Sequence, residues 1–167
     1  MKVIKDLEKK IPNFNSLPES ERVLQVVAYL CDTIKVKEEG KNKGDWVETF
    51  LKSAGLGPGA PWCASLLCYA FKEVGLTPPS GAAAVINWFK WAKKNKKLRS
   101  QPQRGYLCLW LNADGTGHIG IVVKVENNRV FSIEGNTSSG EAGSQRDGDG
   151  VWRRNRPASI WHHYIEI

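Results

Sequence analysis

GYLCLWL at residues 105–111 and HIGIVVKV at residues 118–125 are the stretches that decide the fold. Up to that point apolar residues recur at helical spacing. From Gly105 onward they alternate, as in a strand with one face on a core. Three further segments read as strands: 129–134 (RVFSIE), 151–155 (VWRRN) and 159–166 (SIWHHYIE). Asn127-Asn128 suits the tight turn of a hairpin between the second and third strands. Upstream, four segments read as helices: 17–36, 45–54, 62–74 and 82–97. The first opens on Ser16-Leu17-Pro18-Glu19, a capping-box pattern with proline in the first turn. The third carries a buried stripe of Cys63, Leu67, Ala70, Phe71 and Val74 and stops at Gly75. Helices first and strands second predict an α+β fold, with N-terminal helices packed on a C-terminal antiparallel sheet of about five strands. One domain is expected over 1–167, with 1–16 as an N-terminal extension. Residues 135–150, with five glycines and little apolar content, are expected to form a long mobile loop.

Composition narrows the classes of function. A 167-residue chain with 41% hydrophobic residues can bury a core, which excludes a disordered tail. A mean hydropathy of -0.38 and the lack of a long apolar run exclude a membrane span. The formal charge of +7 sits in one place. No acidic residue lies between Glu73 and Asp114, while Lys90, Lys93, Lys94, Lys96, Lys97, Arg99 and Arg104 fall inside that gap. Such a segment is drawn to nucleic acid, an acidic membrane face or an anionic cell wall. Trp88 and Trp91 fall on the helix face opposite Lys90, Lys94 and Lys97, which suits burial rather than base stacking and argues against nucleic acid. The N-terminus has lysines but no apolar signal core, so synthesis in a cytoplasm without a signal peptide is expected. Cys31, Cys63, Cys68 and Cys108 lack zinc-knuckle spacing, so no metal site is expected.

Cys63 is the cysteine with a chemical context. It follows Pro61-Trp62 at the start of a helix, where free N–H groups and the helix dipole favour a thiolate and could hold an oxyanion. The alternative is that it only packs the helix stripe. His118 opens an apolar strand after the turn Asp114-Gly115-Thr116-Gly117, at a sheet edge near solvent. It is either a surface histidine or the base that a nucleophilic cysteine needs. Glu134 ends the next strand, at the same end of the hairpin as His118. It can orient the imidazole or simply be a solvated strand-end acid. Asn136 could do the same as a neutral amide. His162 and His163 are adjacent in a strand, must face opposite sides, and read as structural.

PWCASLLCYAF, GHIGIVV and IEGNT, in that order and separation, resemble a CHAP domain, the cysteine, histidine-dependent amidohydrolase/peptidase branch of the papain-like fold. The preceding segment, EEGKNKGDWVETFLKSAGLGPGAPWC, is similar to the same family, so the resemblance runs over about residues 20–165. It implies Cys63 as nucleophile, His118 as general base, Glu134 as the acid that orients it, and Asn136 as an accessory polar residue. It implies cleavage of an amide of peptidoglycan, at the N-acetylmuramoyl–L-alanine bond or within the stem or cross-bridge peptides, through a thioester and without a cofactor. Trp62, Trp110 and Asn42 are the candidate substrate contacts. One departure stands out: the family opens the strand before the histidine with Gly-Asp, and here Gly105-Tyr106 occurs, which touches local packing more than catalysis. A papain-like acyltransferase or another amidase would use the same residues. A basic module binding an anionic polymer without catalysis is the reading from another class. The expectation is a monomer that docks on the bacterial envelope through Lys90, Lys94 and Lys97. It would reach the wall after phage lysis, injection or non-standard export.

Overall fold

The computed structural model describes residues 2–138 and 148–167. Among them are five α-helices, α1 (Lys2–Lys10), α2 (Glu19–Tyr29), α3 (Asp45–Ser53), α4 (Cys63–Glu73) and α5 (Val85–Lys94). Six strands follow: β1 (Leu98–Arg99), β2 (Leu107–Leu111), β3 (Gly117–Glu126), β4 (Arg129–Thr137), β5 (Gly150–Pro157) and β6 (His163–Ile165). They form one antiparallel sheet in the order β1-β6-β2-β3-β4-β5. The fold is α+β, with one strand more than expected, because the two-residue β1 pairs with β6 from inside the lysine-rich segment.

The hairpin turn is as the sequence predicts. Asn127 and Asn128 both take positive φ, 49° and 56°, and Glu126 pairs with Arg129. That is the backbone of a two-residue turn matched to strand twist, and asparagine tolerates it better than most residues.

Other boundaries moved. Pro18, not Ser16, is the N-cap of α2, and no side chain caps it; Ser16 belongs to a short 3-10 turn, Phe14–Ser16. The expected single helix over 17–36 ends as a π-helix at Leu30–Ile34, closed by Lys35 in the left-handed region. Part of the expected 1–16 extension packs on the rest of the chain. Val3 and Leu7, one turn apart on α1, are buried with Phe14 in the main core. The last strand is shorter than expected, because Ala158–Ile160 after Pro157 forms a 3-10 turn. Residues 135–137 belong to β4 and Gly150 to β5, so the ends of the expected mobile loop are strand. The middle of that loop, 139–147, lies outside the described residues. At Gly105-Tyr106, where the family's aspartate is missing, the backbone still pairs with β3: Gly105 N–H donates to the Val122 carbonyl and Val122 N–H to the Tyr106 carbonyl.

The sheet has two different faces. Leu107, Leu109, Ile119, Ile121, Ile133, Val151 and Ile165 point to the helices and join the main apolar core. Their neighbours point the other way, since the side-chain period of a strand is two. There Cys108, Val122, Val130, Trp161 and Tyr164 form a second, smaller cluster. The register Trp110↔His118, Gly120↔Glu134 and Val130↔Arg156 sets polar residues beside it.

Candidate active site

Cys63 is the first residue of α4, and Trp62 is its N-cap. In an α-helix the first N–H groups have no acceptor within the helix, so those of Cys63 and its successors face the space before it. The thiol is hydrogen-bonded to His118, whose side chain enters from the start of β3. The other ring nitrogen, Nε2, lies 2.8 Å from Glu134 Oε2. That leaves Nδ1 for the thiol. The three side chains therefore form the chain Cys63–His118–Glu134 that the sequence suggested, with both His118 and Glu134 buried.

The burial of the pair matters electrostatically. Loss of water penalises the imidazolium, but hydrogen bonds to Cys63 and Glu134 outweigh it and hold His118 up at about 9. Burial also penalises the Glu134 carboxylate. Hydrogen bonds from His118 and from Arg156 reverse that and hold it well below its ordinary value. A buried ion pair of this kind survives only when its remaining lone pairs are satisfied. They are: Ser132 Oγ–H donates to Glu134 Oε1 at 2.6 Å, and Arg156 donates from Nε at 2.9 Å and from Nη2 to Oε2 at 2.8 Å. Gly120 makes room. A Cβ there would lie 2.7 Å from Glu134 Cγ, so the pairing of Gly120 with Glu134 across the hairpin admits no larger residue.

Asn136 reaches the site by a different device. Gly135 pairs with Val151 and Thr137 with Gly150, so Asn136 is the extra residue of a bulge, at φ 52°. A bulge re-aims a side chain, and asparagine accepts this backbone. Asn136 lines the cleft with Cys63 and His118, and its Oδ1 has no hydrogen-bond partner among the described residues. The cleft has a volume of about 880 Å³. Ala60, Pro61, Ala83–Val85, Trp110, Asn112 and Asp114–Gly117 line it.

The candidate substrate contacts separate. Trp110 lines the cleft and packs on the His118 ring, centroids 4.8 Å apart. Trp62 does not line it. Its ring is wholly buried beside Phe50, and Nε1 donates to Glu38 Oε1 at 2.7 Å. Its place before the nucleophile made it look like a groove residue, but the apolar ring faces the core. Asn42 is also buried and absent from the cleft lining. It exchanges hydrogen bonds with Gly59, donating from Nδ2 to the Gly59 carbonyl, and so supports the turn that leads to Ala60 and Pro61. His162 and His163 are structural. His162 Nδ1 accepts from Leu111 N–H, and His163 packs on Phe89.

Two residues of the site were not singled out from the sequence. Ser132 lies two residues before Glu134 on the same strand face, a spacing that could have flagged it. Arg156 comes from β5, where RRNR reads as an exposed basic run; only the pairing of β4 with β5 brings its guanidinium to Glu134.

A family model for the CHAP domain matches residues 55–136, which hold Cys63, His118, Glu134 and Asn136. That stretch, just under half of the chain, is similar to a CHAP domain. CHAP domains are generally amidase or peptidase hydrolases, and their substrate is peptidoglycan. No curated protein matches the sequence. The matched residues end at the bulge, so Arg156 on β5 lies outside the match.

Proposed function

We propose that this CHAP-like domain hydrolyses an amide bond of peptidoglycan with Cys63 as nucleophile. The bond is the N-acetylmuramoyl–L-alanine amide or one within the stem or cross-bridge peptides. The reading rests on one observation: the hydrogen-bonded chain from the Cys63 thiol through His118 to Glu134, opening on a cleft of about 880 Å³. His118 holds the proton that the thiol gives up, and Cys63 Sγ attacks the carbonyl carbon. The oxyanion faces the N–H groups at the start of α4. His118 then donates its proton to the amine, the C–N bond breaks, and the amine leaves. Water, deprotonated by His118, attacks the thioester and releases the acid and the free thiol. Asn136 lines the site as an accessory polar group, and Trp110 offers a ring to the bound chain.

Mass spectrometry of peptidoglycan digested by the wild type and by Cys63→Ala tests the reading. New amine and carboxyl ends at one bond are expected with the wild type alone. No new fragment from several wall types would contradict it.

Docking to an anionic envelope polymer through Lys90, Lys94 and Lys97 is part of the same proposal. What supports it is position: α5 begins at the cleft wall, and Lys90 and Lys94 are exposed further along it. Arg99 and Arg104 contribute less, being paired with Glu166 and Glu21. Replacing the three lysines by glutamine is expected to lower wall binding a few-fold and flatten its salt dependence. Unchanged binding would leave them as a solvated helix face.

A further inference from the structure

Glu134 is a buried carboxylate with two cationic partners on opposite sides. His118 approaches from β3 and Arg156 from β5. The Arg156 guanidinium is only 11% exposed and grips both carboxylate oxygens: Nε at 2.9 Å from Oε1 and 3.2 Å from Oε2, Nη2 at 2.8 Å from Oε2. Nη2 also donates to Thr137 Oγ1 at 3.4 Å, beside the Asn136 bulge. Its Cζ lies 5.6 Å from the centre of the Trp110 ring, the same ring that packs on His118. One side chain thus bears on the carboxylate and on the aromatic partner of the imidazole.

We propose that Arg156 is a positioning residue. It fixes the Glu134 carboxylate and supplies its permanent counter-charge, so that His118 can release its proton without leaving a buried anion unpaired. An arginine keeps its charge at every pH of interest. If the imidazolium were the sole cation on a buried carboxylate, deprotonating it would strand that carboxylate in a medium of low dielectric. The imidazolium would then be a poor acid toward the leaving amine. With Arg156 in place, the carboxylate stays paired in both states of His118. The proposal presupposes the cysteine–histidine chemistry above, but its test needs no substrate, so the two can fail separately.

Other groups face the pair as well. Ser132 donates from β4, the buried Cys108 thiol lies across from β2, and the Cys63 thiol meets the far side of the imidazole from α4. Arg154, on the same face of β5, donates to the Ser138 carbonyl.

The test is an NMR titration of the His118 imidazole, read beside thermal melting. Arg156→Gln is expected to raise the His118 midpoint by about one pH unit, the usual effect of removing a nearby cation. Arg156→Met removes the charge while keeping an apolar side chain in the space, and serves if the glutamine variant does not fold. Arg156→Lys keeps the charge without the fork, and its midpoint is expected within roughly 0.3 unit of the wild type. A folded neutral variant with a wild-type midpoint would overturn the proposal. So would a lysine variant whose midpoint rises as far as that of the neutral ones. A lower melting temperature alone, with the midpoint unmoved, would make Arg156 a structural residue only.

Discussion

The two faces of the sheet are built from alternate residues of the same strands, yet they do different work. Toward the helices, Ile119, Ile121 and Ile133 are buried among apolar side chains. On the other face, one residue along, stand His118, Gly120 and Glu134, held by directed hydrogen bonds. An apolar face tolerates small displacements and loses energy in proportion to the area exposed. A hydrogen-bonded chain loses its function when one atom moves by about an ångström. Parity thus keeps His118, Gly120 and Glu134 off the helix-packed core, while Val122 and Val130 on their own face join the smaller apolar cluster.

Substitutions at adjacent residues can break that comparison. His118→Ala is expected to reduce hydrolysis by about 10⁴-fold or more, with the fold retained, since residues acting as one unit fail together. Ile119→Ala, its neighbour on the helix face, is expected to cost about 2–5 kcal/mol of stability while leaving the pH dependence of the surviving activity unchanged. Kinetics and denaturant melts of both variants check the pair. Equal loss of stability and of activity in both would remove the distinction between the faces. Gly120→Ala is a finer probe. Its Cβ would meet Glu134 Cγ at 2.7 Å, so a loss of roughly 10- to 100-fold in activity is expected, larger than the effect on melting.

Stability against pH gives the smallest effect. His118 is raised from its ordinary 6.5 to about 9, so the folded state holds this proton more tightly than the unfolded chain. Its contribution is complete below 6.5 and is lost as the pH rises toward 9. Glu134 runs the other way. Its depressed value gives stability above the ordinary carboxylate range that is lost as the pH falls below it. The melting temperature is expected to drop between pH 6.5 and 9, and His118→Gln is expected to flatten that slope. An unchanged slope in that variant would mean that another group titrates there.

How much of this was legible in the sequence differs between the faces. The helix-packed face follows from alternation within each strand, and its residues fall where the period places them. Cys63 and His118 could be read too, because they sit at local landmarks, a helix start and a strand start, whereas Glu134, expected at a strand end, lies inside β4, which runs on to Thr137. Trp62 was misplaced because proximity to the nucleophile in sequence says nothing about which way a side chain turns. Arg156 could not be read at all. Its role needs β5 to lie beside β4 in one register, and that pairing closes across a long connection rather than a short turn. Residues 1–16 read as an extension, and the burial of Val3 and Leu7 on α1 shows only in the packing.

Selective alkylation tests the central claim, that Cys63 is the activated thiol. Burial pushes the Cys31 thiol up to about 11, and it also raises Cys68 and Cys108. Cys31 is nonetheless more exposed than Cys63. Exposure and activation therefore predict opposite orders of labelling. With iodoacetamide near neutral pH, Cys63 is expected to react first, at least about tenfold faster than Cys31, and His118→Ala is expected to abolish that lead. Labelling of Cys31 before Cys63, or a lead that persists without His118, would contradict the account.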